Sequence, residues 1–162
     1  MNSTPIDNTP APAVSPIVFS PENEAKAIEW LKTRGGIAVW SNKDLGSANL
    51  GSQSFTPALT ADGKPMNSPH WQCGNSGPDR IVTNPAEVIV QTYREVSRVK
   101  IRRGPPYLGC VNRADRARLD KALAAAGPDS AWSADYSGMQ YGSAWFDAVI
   151  AVPDVTRPLA FA

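Results

Sequence analysis

The feature that most constrains the fold is a long stretch of strand-forming residues in the middle of the chain. Residues 87–103 are dense in Val, Ile, Thr and Tyr, and they contain no Gly, Pro or Asn that would make an internal turn. Gly104-Pro105-Pro106 then ends the stretch. The pattern therefore predicts one long bent strand, bulged near Arg94-Glu95, rather than a hairpin.

Helices are predicted on both sides of this strand by their end signals. Ser20-Pro21-Glu22 begins the first helix, and Gly35-Gly36 ends it. Asn112 caps a second helix over 113–126, which Gly127-Pro128 closes. Further strands are predicted at 37–40, 81–83, 131–136 and 144–152, with a loop over 137–142 between the last two. This order predicts an α+β fold, with an antiparallel or mixed β-sheet and two helices packed on one face.

The chain is predicted to form one domain behind a flexible tail. Its 162 residues are 42% hydrophobic, which is the size and composition of a single α+β domain over 18–162. Residues 1–17 contain four prolines and one charged side chain, so we expect them to form a disordered, proline-rich tail. Residues 41–79 are rich in Gly, Ser, Asn and Pro, and they form either a long functional loop or hidden short strands.

Composition excludes several classes of protein. The formal net charge of +1 argues against a globally basic nucleic-acid binder. The chain has no run of eighteen apolar residues and no signal-peptide pattern at its start, so we expect no membrane partner and a place in the cytoplasm. Two cysteines are too few for a disulfide framework. The sequence leaves the oligomeric state open.

Basic residues are concentrated in one part of the chain. Residues 94–121 hold nine basic and three acidic side chains, a local charge of +6. Strand alternation predicts one basic face formed by Arg94, Arg98, Lys100 and Arg102, and the second helix adds Arg113 and Arg116. Such a face fits a nucleic-acid backbone or an acidic protein. The alternative is a solvated face that Glu and Asp elsewhere neutralise.

Loop residues offer a second kind of site. Trp71 and Tyr141 lie in predicted loops, where aromatic rings can stack on a ligand or fill a partner's pocket. His70, Cys73 and Cys110 fall short of a zinc site, because no fourth ligand is evident. The loop 46–52 lacks the lysine of a phosphate-binding loop, although its hydroxyl and NH groups suit other ligands. We therefore expect no cofactor.

Several segments carry a family resemblance: RGGIAVWSN, TPALTADGKP, PHWQCG, RIVTNPAEVIV and REVSRVKI. Together they look similar to small accessory proteins of unassigned function from tailed bacteriophages and prophages. The resemblance covers about residues 25–103 and carries no catalytic signature. It implies a phage-type protein that acts in the cytoplasm of the host bacterial cell, on nucleic acid or on a host or phage protein.

These observations favour a non-enzymatic interaction protein that presents a basic strand face to nucleic acid or to an acidic partner. The alternative is a small enzyme or ligand-binding protein with its site in loops 41–79 and 137–142. No catalytic motif was found. The candidate binding residues are Arg94, Arg98, Lys100, Arg102, Arg113, Arg116, Trp71 and Tyr141.

Overall fold

The computed structural model describes residues 15–41, 46, 48–69, 77–103 and 111–162. It contains two α-helices and seven named strands in an α+β arrangement. The helices are α1 (Glu24–Thr33) and α2 (Arg113–Ala126). The strands are β1 (Ile17–Phe19), β2 (Ile37–Ser41), β3 (Gln53–Pro57), β4 (Arg80–Val82), β5 (Val88–Arg103), β6 (Ala131–Gln140) and β7 (Ser143–Pro158).

The strands form two sheets. The four-stranded sheet has the order β1-β5-β7-β6, in which β1 runs parallel to β5 and the other neighbours are antiparallel. The three-stranded sheet has the order β3-β2-β4 and is antiparallel. β5 and β7 are each 16 residues long, so they form a ribbon to which the other elements attach.

A bulge in β5 allows buried residues at both even and odd positions to lie on the same face of the strand. Val88 and Val90 are buried at even positions, whereas Ile101 is buried at an odd one. In a regular strand these side chains would point to opposite faces. The register shifts between Glu95 and Ser97, and the extra residue returns Ile101 to the face of Val90. The prediction of one long bulged strand is confirmed.

Each helix covers one end of that face. α1 and the three-stranded sheet pack on the first half of β5, around Phe19, Val39 and Val90. α2 packs on the second half, where Leu119 contacts the core that contains Ile101 and Trp132. The predicted placement of two helices on one face is confirmed, and we call the opposite side of the four-stranded sheet the open face.

The predicted helix ends are also present. The side chain of Asn112 accepts a hydrogen bond of 2.9 Å from the backbone N–H of Asp115, which is the predicted cap of α2. Gly35 and Gly36 follow α1 with φ of 74° and 113°. A Cβ on Gly36 would lie 2.4 Å from the carbonyl oxygen of Val82, so only glycine allows β4 to approach this closely.

Several boundaries differ from the predictions, and β7 extends to Pro158 rather than to residue 152. Ile17 is buried in β1 and pairs with Val88, so the folded domain begins before residue 18. β3 lies inside 41–79, so the alternative of hidden short strands holds there, and its alternation is too short to be seen in the sequence. Gln140 pairs with Ser143, so a two-residue turn replaces the predicted loop 137–142. Most of the predicted tail, residues 1–14, lies outside the described residues.

Candidate nucleic-acid interface

The bulge in β5 divides the predicted basic face. Glu95 pairs with Ala151 and Ser97 with Ile150, so β5 contains one residue more than β7 here. Arg94 pairs with Val152 and therefore lies on the helix-covered side of the sheet. Arg98, Lys100 and Arg102 lie on the open face. The prediction that Arg94 joins them is corrected, because alternation was counted across the bulge.

Carboxylates surround Arg98 on the open face. Its Nε lies in hydrogen-bonding contact with Glu95, and its Nη1 lies 3.4 Å from Asp135 and 3.5 Å from Asp147. Residues three apart on a regular strand face opposite sides, so the contact with Glu95 depends on the bulge. These groups are close to half exposed or more, apart from Asp147 at 28%. Water screens such pairs, and their main effect is to neutralise Arg98.

The same contacts shift the ionisation of the pair. The hydrogen bond from Arg98 lowers the pKa of Glu95, while the hydrogen bond and charge of Glu95 raise the pKa of Arg98. Both groups therefore stay charged across the physiological range. Arg98 is occupied by protein carboxylates, as the alternative of a neutralised face expected.

Lys100 and Arg102 differ from Arg98 in this respect. Both side chains are exposed, and among the described residues neither forms an ion pair. Lys100 lies opposite Asp147 in the register, but Asp147 is already paired with Arg98. Arg102 lies opposite Trp145. Two cations at the end of β5 therefore remain available to an external anion.

Asp115 joins the start of α2 to the edge of β5. Its carboxylate accepts hydrogen bonds from the backbone N–H of Arg102 at 2.8 Å and from the side-chain amide of Asn112 at 3.0 Å. It also contacts the guanidinium of Arg118, which in turn donates to the carbonyl of Lys100 at 2.7 Å. Asp115 is buried, so its charge is used within the protein.

The arginines of α2 divide in the same way as those of β5. Arg116 lies 3.3 Å from Asp120, an ordinary i,i+4 pair on the helix surface. Arg113 is exposed in the first turn, and within the described part of the chain it has no ion pair. We call Lys100, Arg102 and Arg113, which flank the contact between Asp115 and β5, the basic junction.

Aromatic and apolar side chains are exposed beyond the basic junction. Tyr141 is 96% exposed at the turn between β6 and β7, and its φ of 53° together with 75° at Gly142 matches the left-handed turn of a two-residue hairpin. Tyr136 and Met139 are also exposed on β6. Arg102 pairs with Trp145 of β7, so the end of the β6–β7 hairpin lies next to Arg102. We call Tyr136, Met139 and Tyr141 the hairpin tip.

Sequence reasoning found Tyr141 but not Tyr136 or Met139. It placed Tyr136 inside a strand without predicting its exposure and placed Met139 in a loop. A register shift between Tyr136 and Gly138 puts Tyr136 and Met139 on the same face, which is the helix-covered side opposite to Lys100 and Arg102. The glycine at 138 within an otherwise regular strand pattern was the available signal.

Some sequence candidates cannot be placed. Trp71, His70, Cys73 and Cys110 lie outside the described residues. Within the described ranges, no three His, Cys, Asp or Glu side chains form a group that could hold a metal ion. No described helix is long and apolar enough to cross a membrane.

The other predicted site region forms part of a cleft. A cavity of about 360 Å³ lies between β1, β3 and the part of the open face near Tyr93, and from this segment it is lined by Asn49, Leu50, Ser52, Gln53 and Phe55. The predicted loop 137–142 does not line it. The cleft and the basic junction are therefore separate candidate sites.

Comparisons with known proteins add no functional information. The chain matches no family model, no curated protein and no solved structure.

Proposed function

We propose that the protein is a non-enzymatic binding protein that holds a single-stranded nucleic acid across the basic junction and the hairpin tip. One observation carries the proposal: the three cations of the basic junction are exposed without ion pairs among the described residues, although carboxylates lie nearby. Asp115 and Asp147 are already bound by Arg118 and Arg98. The junction therefore carries uncompensated positive charge in a chain of net charge +1.

Phosphates are suitable partners for this arrangement. Successive side chains on one strand face lie roughly 7 Å apart, which is close to the spacing of phosphates in an extended single strand. Lys100 and Arg102 have this separation, and Arg113 extends the cationic surface onto α2. Cations in these positions neutralise phosphates and release counterions, which is the main source of sequence-independent affinity.

The hairpin tip favours a single strand over a duplex. Unpaired bases stack on exposed aromatic rings, whereas the bases of a duplex are already stacked on one another. Tyr141 provides such a ring at the turn, and Trp145 lies opposite Arg102 on the open face. Tyr136 belongs to the same hairpin but lies on the helix-covered face, where its ring packs edge-on against Phe146. Resemblance to phage accessory proteins is consistent with this proposal, since phage and host single strands are both present in an infected cell.

The test compares two charge-neutralising variants of the purified protein. Fluorescence anisotropy would measure the binding of a labelled single strand of about 20 nucleotides, long enough to span several phosphate contacts. Replacing Lys100, Arg102 and Arg113 with Gln should weaken binding by about tenfold or more, since three phosphate contacts are lost. Arg98→Gln removes the same kind of charge from a neutralised position, and it should change the affinity much less.

Competitors separate the possible partners. An unlabelled duplex of the same length should compete poorly, because it offers no unstacked bases. Polyglutamate tests for an acidic protein partner: if it displaces the strand at equal charge concentration, the junction binds anions in general and the proposal of a nucleic-acid site is wrong. Equal binding by the triple variant and the parent would also reject the proposal.

A further inference from the structure

The cleft beside β1 contains a buried side-chain amide whose N–H donor has no hydrogen-bond partner among the described residues. Asn49 is only 6% exposed and lines the 360 Å³ cavity. Its Oδ1 accepts a hydrogen bond of 2.6 Å from the backbone N–H of Gly51, which fixes the orientation of the side-chain amide. Among the described residues, no acceptor lies within hydrogen-bonding distance of Nδ2. A buried donor without a partner is unfavourable, and it commonly marks a functional position.

The loop that carries Asn49 is held firmly. Leu50 donates to the carbonyl of Trp132 at 2.7 Å, and Trp132 donates to the carbonyl of Ala48 at 2.9 Å, so the loop is joined to the edge of β6. Ser52 donates to the carbonyl of Asn49 at 2.9 Å. These three backbone hydrogen bonds and the Asx turn therefore position the side chain of Asn49, whose Nδ2 has no hydrogen-bond acceptor among the described residues.

A second side-chain amide in the cleft, that of Gln91, also has its oxygen bonded within the protein. Gln91 lines the cavity from β5, and its Oε1 accepts a hydrogen bond of 2.9 Å from the hydroxyl of Thr156. Its Nε2 is therefore left as a donor, as is the Nδ2 of Asn49. The cleft presents N–H donors, so its ligand must present acceptors.

The remaining walls define the size and charge of the ligand. Val18, Leu50, Phe55 and Tyr93 contribute apolar surface, and no charged residue in the described part of the chain lines this cavity. A charged ligand would lose hydration without gaining an ion pair, so an uncharged ligand is favoured. The volume falls within the range of small-molecule sites. A second cavity of about 470 Å³ extends the cleft past Phe19 toward Trp30, and Lys26 lines only this outer part, so the charge argument applies to the inner cavity.

We infer that this cleft is a small-molecule site for an uncharged planar ring that bears carbonyl oxygens, of the size of a pyrimidine nucleoside. The ring lies against the apolar walls, and its carbonyl oxygens accept hydrogen bonds from Asn49 and Gln91. Residues 48–52, which have no role in the basic junction, form the loop that contributes Asn49, Leu50 and Ser52 to the site. The site is independent of the proposed strand-binding function.

The test uses uridine, because its ring carries two carbonyl oxygens. Calorimetry or ligand-observed NMR would measure uridine binding to the full chain, with phenyl riboside as a comparator that has the same sugar and no ring carbonyl. We expect uridine to bind at least about tenfold more tightly than phenyl riboside, the effect of two hydrogen bonds. Equal binding of the two compounds, or no uridine binding at millimolar concentration, overturns the inference.

Variants that replace an amide with a carboxylate turn the N–H donor into an oxygen acceptor while keeping the shape of the side chain. Asn49→Asp keeps an acceptor for Gly51 but replaces the free donor with an acceptor, so it should weaken uridine binding by about tenfold or more. Asn84→Asp is the matched control, because Asn84 also accepts a hydrogen bond from the backbone two residues ahead, at 3.0 Å, and lies outside the cleft. If Asn84→Asp weakens binding equally, the inference fails.

Gln91→Glu keeps the inference testable if burying a carboxylate at position 49 prevents folding. Gln91 is only partly buried, so its acid variant should fold. It should weaken uridine binding by about threefold to tenfold, the effect of one lost hydrogen bond. Thermal unfolding of each variant would confirm that the protein is folded, and unchanged uridine affinity in folded Gln91→Glu would contradict the inference.

Discussion

Two neighbouring regions of β5, at Arg98 and at Lys100 two positions later, differ in what their cations can bind. Arg98 lies among Glu95, Asp135 and Asp147, whereas Lys100 and Arg102 have no ion pair among the described residues. The residue types are alike and all three lie on the open face. The difference arises from the bulge, which brings Glu95 to that face, and from the cross-strand position of the two aspartates. Charge along a strand is therefore a poor guide to binding until the register is known.

Deleting Val96 should have the largest effect, because it removes the extra residue on which the comparison depends. Without the bulge, Val90 and Ile101 would point to opposite faces, and one of the two cores would lose a wall. We expect the protein to lose cooperative unfolding, measured by circular dichroism. Val96→Ala is the control, since Val96 is 41% exposed and the variant keeps the bulge. A stably folded deletion variant would show that the register shift is not required.

Leu119→Ala should have the next largest effect, because it tests whether α2 holds the basic junction together. Leu119 is fully buried in the second core. Truncation should lower the free energy of unfolding by about 2–5 kcal/mol, the usual range for a buried leucine. Chemical denaturation would measure the change, with Ala117→Gly on the exposed side of α2 as a reference for helix propensity alone. A loss below about 1 kcal/mol would mean that α2 is weakly docked.

Freeing Arg98 should convert it into a member of the basic junction. The double variant Asp135→Asn and Asp147→Asn removes two of its three carboxylates while keeping side-chain size. We expect single-strand affinity to rise about threefold or more, because a further phosphate contact becomes available. Asp154→Asn is a suitable control, since Asp154 lies near the other end of β7 and forms no ion pair within the described ranges. Unchanged affinity would show that Arg98 is not in reach of the strand.

The smallest effect concerns a second occupied arginine, Arg157, at the far end of the ribbon. Glu24 contacts its guanidinium and accepts a hydrogen bond of 3.1 Å from the backbone N–H of Ala160. The hydrogen bond from Arg157, followed by that from Ala160, lowers the pKa of Glu24 from 4.5 to about 2. A carboxyl whose pKa is lowered on folding stabilises the protein above its unfolded pKa, and this contribution is lost as the pH falls through the folded value.

The stability of the parent relative to Glu24→Gln should therefore decline as the pH falls from 4.5 toward 2. Thermal unfolding at several pH values across this window would measure the decline. Glu22→Gln provides the control, because Glu22 is exposed and has no ion pair in the described part of the chain. A difference between parent and Glu24→Gln that does not vary with pH would mean that the pair with Arg157 has no effect on stability.

Local signals in the sequence were sufficient for the helices and for β5. Asn112, Gly35 and the uninterrupted β-forming residues of β5 each act within a few residues of their own position, so they can be read without the fold. β1 was missed, and β3 was foreseen only as a hidden short strand without a position, because each is short and is stabilised by its neighbours rather than by its own pattern. The candidate site was predicted only in part for a similar reason. Whether Arg98 or Arg102 is free depends on Asp135 and Asp147, which are distant in sequence.

Whether the apolar residues of β5 fall at even or odd positions indicates the bulge more strongly than the sequence analysis recognised. Buried positions change from even at Val90 to odd at Ile101, and this change requires an odd number of extra residues between them. The same reasoning would have moved Arg94 away from Arg98. The free donor of Asn49 has no such signal, because it results from a hydrogen bond between Asn49 and Gly51 within a loop.

The salt dependence of single-strand binding tests the central claim most directly. Each phosphate contact on a single strand contributes about 0.7 to the slope of the logarithm of the association constant against the logarithm of salt concentration. The variant that replaces Lys100, Arg102 and Arg113 with Gln should therefore have a slope smaller in magnitude than that of the parent by about 2, whereas Arg98→Gln should keep the parent slope. Equal slopes for the parent and the triple variant, or an equal reduction in Arg98→Gln, would contradict the account.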